Sequence, residues 1–309
     1  MSGATSRDAT SLSVSVVVPA FNCSSSVERL LESLFAQTYP RKYYEIIFVD
    51  DGSTDDTAEI ARCALARWDG ASRVLRKANG GPASARNVGL RAACTDVIAF
   101  IDADCVADAD WLEAVVARLT PGAAGVGGPL RSVSPPGWVS GYLDACQFYR
   151  QRSRHGIVDY LLTANAVFRR EALLRVGGFV EEPGIWAEDA DLSFRLKRQG
   201  YDLLLAPEGA VTHFGSPRSV RELTRELYRY GFGAAMLSRN WRGRAPLKEF
   251  ARHGGAAALA LLLALRLRRR VGLARAISFW PLITLEHLSF CWGLCLGSVR
   301  GASRKGAYQ

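Results

Sequence analysis

The chain has 309 residues, of which 49% are hydrophobic and 22% charged, a balance that excludes a disordered or collagen-like protein. Its seven cysteines show neither a Cys-x-x-Cys pair nor the Cys and His spacing of a zinc site, which indicates a reduced, cytosolic compartment. The net charge of +9 is unevenly placed, because residues 216–309 carry 17 Lys and Arg against 4 Asp and Glu, whereas residues 1–215 have a net charge of −4. The two parts therefore suit different partners.

The first hundred residues predict alternating strands and helices. Residues 1–12 are polar and predict no cleavable signal peptide. The β-branched run Val14–Val18 predicts a strand that ends at Pro19, and leucines at helical spacing predict a helix over residues 28–37. A second unit of strand, turn and helix follows over residues 45–67.

The same alternation continues with a short strand at Val74–Leu75, a helix over residues 83–93 and a strand over residues 97–101. The last of these strands leads directly to Asp102 and Asp104. Strands that alternate with helices predict an α/β fold with a mostly parallel sheet, whose ligands lie outside its carboxyl edge. We therefore expect the polar residues that follow each strand to share one edge of the sheet.

The middle of the chain is less regular. It predicts a helix over residues 138–154, a strand followed by a helix over residues 161–176, a helix over residues 188–199 and a strand over residues 202–206. This last strand leads toward His213.

Beyond residue 215 the chain becomes basic and apolar. A basic amphipathic helix is predicted over residues 220–239, and two apolar stretches follow at residues 256–265 and 271–299. Neither stretch contains the roughly 18 uninterrupted apolar residues of a spanning helix. We expect helices that lie in the bilayer interface, with neighbouring arginines against lipid phosphates. These arginines are Arg266, Arg268, Arg269 and Arg270.

The predicted division of the chain is therefore a catalytic domain over residues 1–215 and a membrane-associated region over residues 216–309. The alternative for the second region is a helical hairpin that packs on the main domain or on a second subunit.

Two carboxylates one residue apart, Asp102 and Asp104, follow the predicted buried strand. Mg²⁺ and Mn²⁺ prefer oxygen ligands and commonly keep positions for water and substrate phosphates, so this Asp-x-Asp pattern suits a nucleotide-bound metal. The alternative is a loop with two solvated aspartates, because the pattern is frequent by composition.

Several motifs in the order of the chain resemble the family 2 glycosyltransferases, which have the GT-A nucleotide-sugar fold. The resemblance covers about the first two-thirds of the chain, and it depends on the ordered occurrence of the motifs. It implies an inverting transfer of a sugar from a nucleotide-diphosphate sugar, with a UDP-sugar as the expected donor, to a hydroxyl of a glycan or a lipid-linked acceptor. The motifs are Val16-Val17-Val18-Pro19-Ala20-Phe21-Asn22, Val49-Asp50-Asp51-Gly52-Ser53, Asn79-Gly80-Gly81-Pro82 with Ala85-Arg86-Asn87, Phe100-Ile101-Asp102-Ala103-Asp104, Gly177-Gly178-Phe179, Glu188-Asp189-Ala190-Asp191 and His213.

The resemblance implies a set of residues that bind the nucleotide sugar. Asp51 would accept a hydrogen bond from the pyrimidine N3–H, and Arg86 would contact the base or the diphosphate. The alternatives are that Asp51 only forms a turn and that Arg86 is a solvated helix arginine. The implied residues are Pro19, Ala20, Asn22, Asp51, Asn79, Arg86, Asp102 and Asp104.

The resemblance also implies a Mn²⁺ or Mg²⁺ ion. Asp104 would bind the ion directly, Asp102 would bind the ribose or a metal-bound water, and His213 would be the third protein ligand. Imidazole is acceptable to Mn²⁺. The alternative for His213 is a structural role.

Asp189 is the implied general base, with Glu188 and Asp191 supporting it or binding the acceptor. These acids would also complement a helix N-terminus, and the two roles are compatible. Direct attack by the activated acceptor would invert the anomeric centre. Asn165 and Trp186 are the candidate acceptor contacts, and a core role for Trp186 is an equal alternative.

Two other functions stay open. A sugar nucleotidyltransferase would carry a Gly-rich basic loop after its first strand, where this chain has Pro19-Ala20-Phe21-Asn22. A non-catalytic protein could use the basic C-terminal region to bind a membrane or a nucleic acid.

We expect a peripheral enzyme at the cytoplasmic face of the cell membrane that acts in cell-envelope polysaccharide biosynthesis. Its expected partners include an anionic membrane surface and exclude nucleic acid.

Overall fold

The computed structural model describes residues 12–133, 136–146, 151, 153, 155–181, 187–240, 255–257 and 259–300. These residues form two compact units. The first, which we call the sheet unit, takes its residues from Met1–Arg131, Gln151–Glu181 and Leu192–His213. The second, which we call the helical unit, takes its residues from Ser132–Arg150, Glu182–Asp191 and Phe214–Gln309.

The predicted functional boundary after residue 215 stays a prediction. The compact units place a break close to it, between His213 and Phe214. They also assign two stretches of the predicted catalytic domain, within residues 132–150 and 182–191, to the helical unit.

A seven-stranded sheet forms the centre of the sheet unit, with the strand order β3-β2-β1-β4-β8-β6-β9, and a small sheet has the order β5-β10-β7. The strands are β1 Val14–Ala20, β2 Tyr44–Asp50, β3 Ala71–Arg76, β4 Val97–Phe100, β5 Cys105–Ala107, β6 Ala123–Gly127, β7 Leu130–Ser132, β8 Ala166–Arg169, β9 Asp202–Leu205 and β10 Val211–His213. β1 pairs in parallel with β2 and β4, β2 with β3, and β6 with β9, whereas β8 is antiparallel to β4 and β6. The prediction of an α/β fold with a mostly parallel sheet is confirmed.

Helices cover both faces of this sheet. Alternate residues of β1 point to opposite faces, so that Val16 and Val18 pack with Leu30 in one core and Val17 packs with Ala85 in the other. The described helices are α1 Ser24–Phe35, α2 Thr57–Leu65, α3 Pro82–Ala92, α4 Trp111–Ala117, α5 Trp138–Cys146, α6 Arg170–Arg175, α7 Glu188–Arg198, α8 Val220–Asn240, α9 Ala260–Arg266, α10 Arg268–Val271, α11 Leu273–Ser278 and α12 Trp280–Arg300.

The helical unit has its own apolar core, in which Tyr142 of α5, Leu223 of α8 and Phe279 are buried together. Glycines let α8 and α12 approach closely: a Cβ on Gly293 would lie 2.0 Å from the carbonyl oxygen of Tyr228, and a Cβ on Gly231 would lie 2.0 Å from that of Phe290. A carbonyl oxygen this close to the Cβ position leaves room only for the hydrogen atom of a glycine. Close approach through small residues is typical of helices that pack in membranes.

The run Leu273–Ser298, which contains α11 and most of α12, is long and apolar enough to cross a membrane by length and composition. The run contains Arg275 and Glu286, so it is not an uninterrupted apolar stretch, although its length and mean hydropathy suffice. Pro281 lies in the first turn of α12, where a missing N–H costs no helical hydrogen bond, so it does not interrupt the run. The carboxylate of Glu286 accepts a hydrogen bond from the hydroxyl of Tyr142.

Candidate active site

The predicted nucleotide-binding residues follow the parallel strands of the sheet unit. β1 ends at Ala20, which pairs with Asp50 at the end of β2, and β4 lies parallel to β1 on its other side. Parallel strands bring their carboxyl ends to one edge of a sheet. Asn22, Asp51 and Asp102 therefore lie at the same edge, as the sequence predicts.

Asn22 joins the end of β1 to the turn after β2. Its N–H donates to the Ser53 hydroxyl at 2.9 Å, and its side-chain oxygen accepts from the Thr54 N–H at 2.8 Å. Its φ of 49° lies in the left-handed region, which asparagine tolerates better than most residues. The Asn22 side chain thus connects the loops after β1 and β2. Pro19 and Ala20, at the end of β1, are both buried.

The Asp51 carboxylate organises the loop that follows β3. It accepts hydrogen bonds from Lys77 Nζ at 2.5 Å, from the Gly80 N–H at 3.0 Å and from the Gly81 N–H at 2.7 Å. The Asn79 amide donates to the Asp51 carbonyl oxygen at 3.1 Å. A carboxylate offers about four acceptor positions, and these donors use most of them. The geometry therefore supports a positioning role for Asp51.

Lys77 was missed by the sequence reasoning. It directly follows β3, so its place at the carboxyl edge of a parallel strand was the signal that could have identified it. Its ion pair with Asp51 is largely shielded from water, because the two side chains are 20% and 4% exposed.

Arg86 of α3 contacts Asp102 and Phe179 within the sheet unit. Its guanidinium forms an ion pair with Asp102 Oδ1 at 2.8 Å and lies 5.7 Å from the centre of the Phe179 ring. The side chain is 4% exposed, so the alternative of a solvated helix arginine is wrong. Arg86 therefore orients Asp102, and Phe179 is a second residue that the sequence reasoning did not assign to the site.

Replacing Arg86 with methionine is expected to lower the free energy of unfolding by about 2 kcal/mol, because Asp102 loses a charged hydrogen bond. Binding of UDP, the nucleotide that the sequence resemblance implies, should weaken with it, since Asp102 loses its orientation. Arg91→Met is the matched control on the same helix, because its contact with Glu181 is long at 3.7 Å and the Arg91 side chain is 61% exposed. Urea unfolding and UDP titration of both variants measure the effects, and equal effects in the two would contradict the assignment.

Asp104 and His213 come together through strand pairing in the small sheet. β5 and β10 are antiparallel, and their register places His213 opposite Cys105. His213 Nε2 consequently lies 3.3 Å from Asp104 Oδ2. Burial alone would raise the pKa of Asp104, but the hydrogen bond and the charge of His213 outweigh burial and leave that pKa below its ordinary value.

The donor atoms of Asp104, Cys105 and His213 lie within 4.8 Å of one another. Burial raises the pKa of the Cys105 thiol, and the charges of Asp102 and Asp104 raise it further, so the sulfur stays protonated. A carboxylate and an imidazole are ligands that Mn²⁺ accepts, whereas a protonated thiol is not. The donor set therefore fits a hard divalent cation at Asp104 and His213.

The predicted catalytic acids, Glu188, Asp189 and Asp191, begin α7. Asp191 is buried, and Asp189 accepts a hydrogen bond from the Ala190 N–H at 2.7 Å. Three acids in the first turn complement the positive end of the helix, which is the structural role expected beside the catalytic one.

The two predicted acceptor contacts have different outcomes. Asn165 is 2% exposed. Its amide donates to the carbonyl oxygens of Pro129 and Gly209 and accepts from the Trp111 indole at 2.7 Å. It therefore cross-links the interior of the sheet unit, and we leave it out of the proposed acceptor site. Trp186 lies outside the described residues.

The chain matches two family models. The model described as "Glycosyl transferase family 2" matches residues 15–177, and the model described as "Glycosyl transferase family group 2" matches residues 97–299. These ranges together include the strand-end residues, the first turn of α7, His213 and most of α12.

Similar proteins are glycosyltransferases. Glycosyltransferase AglE of Haloferax volcanii is 29% identical over 222 residues, which are 71% of this chain and 72% of that protein. Pre-mycofactocin glycosyltransferase of Mycobacterium tuberculosis is 31% identical over 259 residues, which are 80% of this chain and 51% of that protein, so the chain spans about half of this relative's length.

A solved structure has the same fold. The mannosyltransferase PcManGT from Pyrobaculum calidifontis, in complex with GDP-Man and Mn²⁺, superposes with a TM-score of 0.60 and 22% identity, and the match covers 97% of this chain and 77% of that one. The shared fold is the GT-A nucleotide-sugar fold.

Proposed function

Because the chain belongs to glycosyl transferase family 2 and uses a nucleotide sugar, we propose that it is a metal-dependent, inverting transferase that moves the sugar to a hydroxyl of a glycan or lipid-linked acceptor. A UDP-sugar is the proposed donor. The family match argues against a sugar nucleotidyltransferase and a non-catalytic binder, because the model that covers residues 15–177 describes glycosyltransferases.

The observation that carries the proposal is the pair formed by Asp104 and His213, whose side-chain atoms lie 3.3 Å apart. The loop that Asp51 organises lies at the carboxyl edge of the seven-stranded sheet, where β4 leads to Asp104. These two residues would hold Mn²⁺ or Mg²⁺, with Asp102 on the ribose or on a metal-bound water. When bound, the ion would neutralise the negative charge of the departing diphosphate. PcManGT, whose complex contains Mn²⁺, supports this assignment by its shared fold.

The remaining chemistry is assigned to side chains of this protein. Asp189 would accept the proton of the acceptor hydroxyl as its oxygen attacks the anomeric carbon. The bond from that carbon to the diphosphate breaks in the same step, and attack from the opposite side inverts the configuration. Glu188 and Asp191 would support Asp189 at the start of α7.

The proposed contact of Asp51 with the base competes with contacts inside the protein. The donors that surround the Asp51 carboxylate belong to the protein, so a direct hydrogen bond to the base must share an oxygen with Lys77, Gly80 or Gly81. A carboxylate also accepts from guanine N–H groups, and PcManGT is described with GDP-Man.

A panel of nucleotide sugars tests the proposed function. We expect release of nucleoside diphosphate from a UDP-sugar in the presence of Mn²⁺ or Mg²⁺, and its loss when the cation is chelated. GDP-mannose and dTDP-glucose are included as competing donors. Turnover of GDP-mannose alone would replace the UDP assignment, and full activity in a chelator would remove the metal assignment.

The proposed location is the cytoplasmic face of the cell membrane. Exposed apolar side chains are frequent in the helical unit, and basic residues lie between them. The apolar residues include Leu261, Leu262, Leu273, Trp280, Leu288 and Trp292, and the basic ones Arg266, Arg268, Arg269 and Arg270. This combination supports contact with an anionic bilayer.

A further inference from the structure

An open cleft of about 760 Å³ lies between α8 and α12 in the helical unit. Its volume is in the range of pockets that hold small ligands. One wall is provided by α8 and the other by α12, and no residue of the proposed active site lines it. The lining residues are Arg221, Thr224, Arg225 and Tyr228 from α8, with Leu288, Ser289, Cys291, Trp292 and Cys295 from α12.

The α8 wall of the cleft is positively charged. Arg221 and Arg225 are one helical turn apart, so their side chains lie on the same face of the helix, and both are exposed. Two like charges at this spacing repel each other. An anion between them would relieve the repulsion, and guanidinium groups bind phosphate oxygens in pairs.

The α12 wall is apolar and open to the surroundings. Trp292 is 64% exposed and Leu288 is 52% exposed. Both belong to the run Leu273–Ser298, whose length and composition suit a membrane. Exposing apolar side chains of this size to water is unfavourable, and transferring them to hydrocarbon is favourable.

We propose that the cleft binds one anionic phospholipid of the bilayer. Its phosphate lies between Arg221 and Arg225, and one hydrocarbon chain lies along Leu288 and Trp292. Charge complementarity selects this occupant, because a zwitterionic lipid brings a cationic group with its phosphate and leaves the positive charge of the arginine pair unbalanced. The close packing of Gly293 against Tyr228 brings the two walls of the cleft together. The inference rests on the proposed membrane location and does not depend on the sugar-transfer reaction.

Lipid-specific quenching tests the proposal on the full chain in phosphatidylcholine nanodiscs. Phosphatidylglycerol with brominated chains is added at low mole fraction, and the fluorescence of wild type minus that of Trp292→Phe isolates the signal of Trp292. We expect quenching at a lower mole fraction than with brominated phosphatidylcholine. In the double variant R221Q/R225Q the phosphatidylglycerol should bind roughly thirtyfold more weakly.

The double variant R218Q/R275Q is the matched control, because it removes the same charge from exposed arginines of the same unit that do not line the cleft. It should leave the quenching midpoint unchanged. Equal midpoints for the two brominated lipids, or an equal loss in both double variants, would overturn the proposal. Displacement of the lipid by inorganic phosphate alone would also overturn it, since the site would then recognise only a free anion.

Discussion

Replacing Asp104 with alanine is expected to lower kcat/KM for sugar transfer about a thousandfold, because the charge of the departing diphosphate then loses several kcal/mol of stabilisation. The affinity for Mn²⁺ should fall in parallel, which a titration followed by electron paramagnetic resonance measures without any substrate. His213→Ala should weaken Mn²⁺ binding in the same direction, since its Nε2 lies 3.3 Å from the Asp104 carboxylate.

The double variant D104A/H213A gives the sharper result. Two ligands of one ion act as a unit, so the loss in the double variant should be much smaller than the product of the two single losses. Asp108→Asn is the matched control. Asp108 directly follows β5, whereas Asp104 directly precedes it, and the Asp108 carboxylate pairs with Arg131 at 3.0 Å. If D104A kept wild-type Mn²⁺ affinity and activity, Asp104 would not be a metal ligand.

The second large effect is expected for Asp189→Asn, which replaces the proposed base with an isosteric amide that cannot accept the acceptor proton. The loss in kcat should be about 10²- to 10⁴-fold. The affinity for UDP should stay at its wild-type value, because no contact of Asp189 with the nucleotide is proposed. Rapid-mix turnover measurements and UDP titration separate the two quantities.

A control and a structural check accompany this variant. Asp202→Asn removes an exposed carboxylate at the start of β9 and should leave kcat unchanged. Asp189 accepts a hydrogen bond from the Ala190 N–H, and its charge complements the start of α7, so thermal unfolding must show that the asparagine variant is folded. Full transfer activity in a folded D189N protein would assign the base to another residue.

Much of the sheet unit was predictable because local patterns specify it. The β-branched run at Val14–Val18 and the alternation of strands with helices predicted a mostly parallel sheet, and parallel strands share a carboxyl edge. Asp51 and Asp102 could therefore be placed at that edge from their positions after β2 and β4. The basic amphipathic pattern likewise predicted α8, whose observed bounds are Val220–Asn240.

Other parts were not predictable because they depend on partners that are distant in the sequence. Asn165 is buried, and its amide donates to the carbonyl oxygens of Pro129 and Gly209, which are distant in the sequence. Its residue type and position gave no sign of these partners. The apolar stretch that contains residues 273–298 was not predicted to span a membrane because Arg275, Pro281 and Glu286 interrupt it. Pro281 lies in a first helical turn, so it does not end the helix.

The sequence by itself determined the family, the strand-end carboxylates and the basic, apolar character of residues 216–309, since residue type and short-range spacing carry this information. Only the tertiary structure decided that His213 meets Asp104, because the antiparallel register of β5 and β10 sets that contact. It also decided that Asp51 holds a loop through Lys77 and two glycine amides, and that Arg86 is buried in an ion pair with Asp102. Polar groups that leave water must find partners, and which partners are in reach is settled by strand pairing and helix packing.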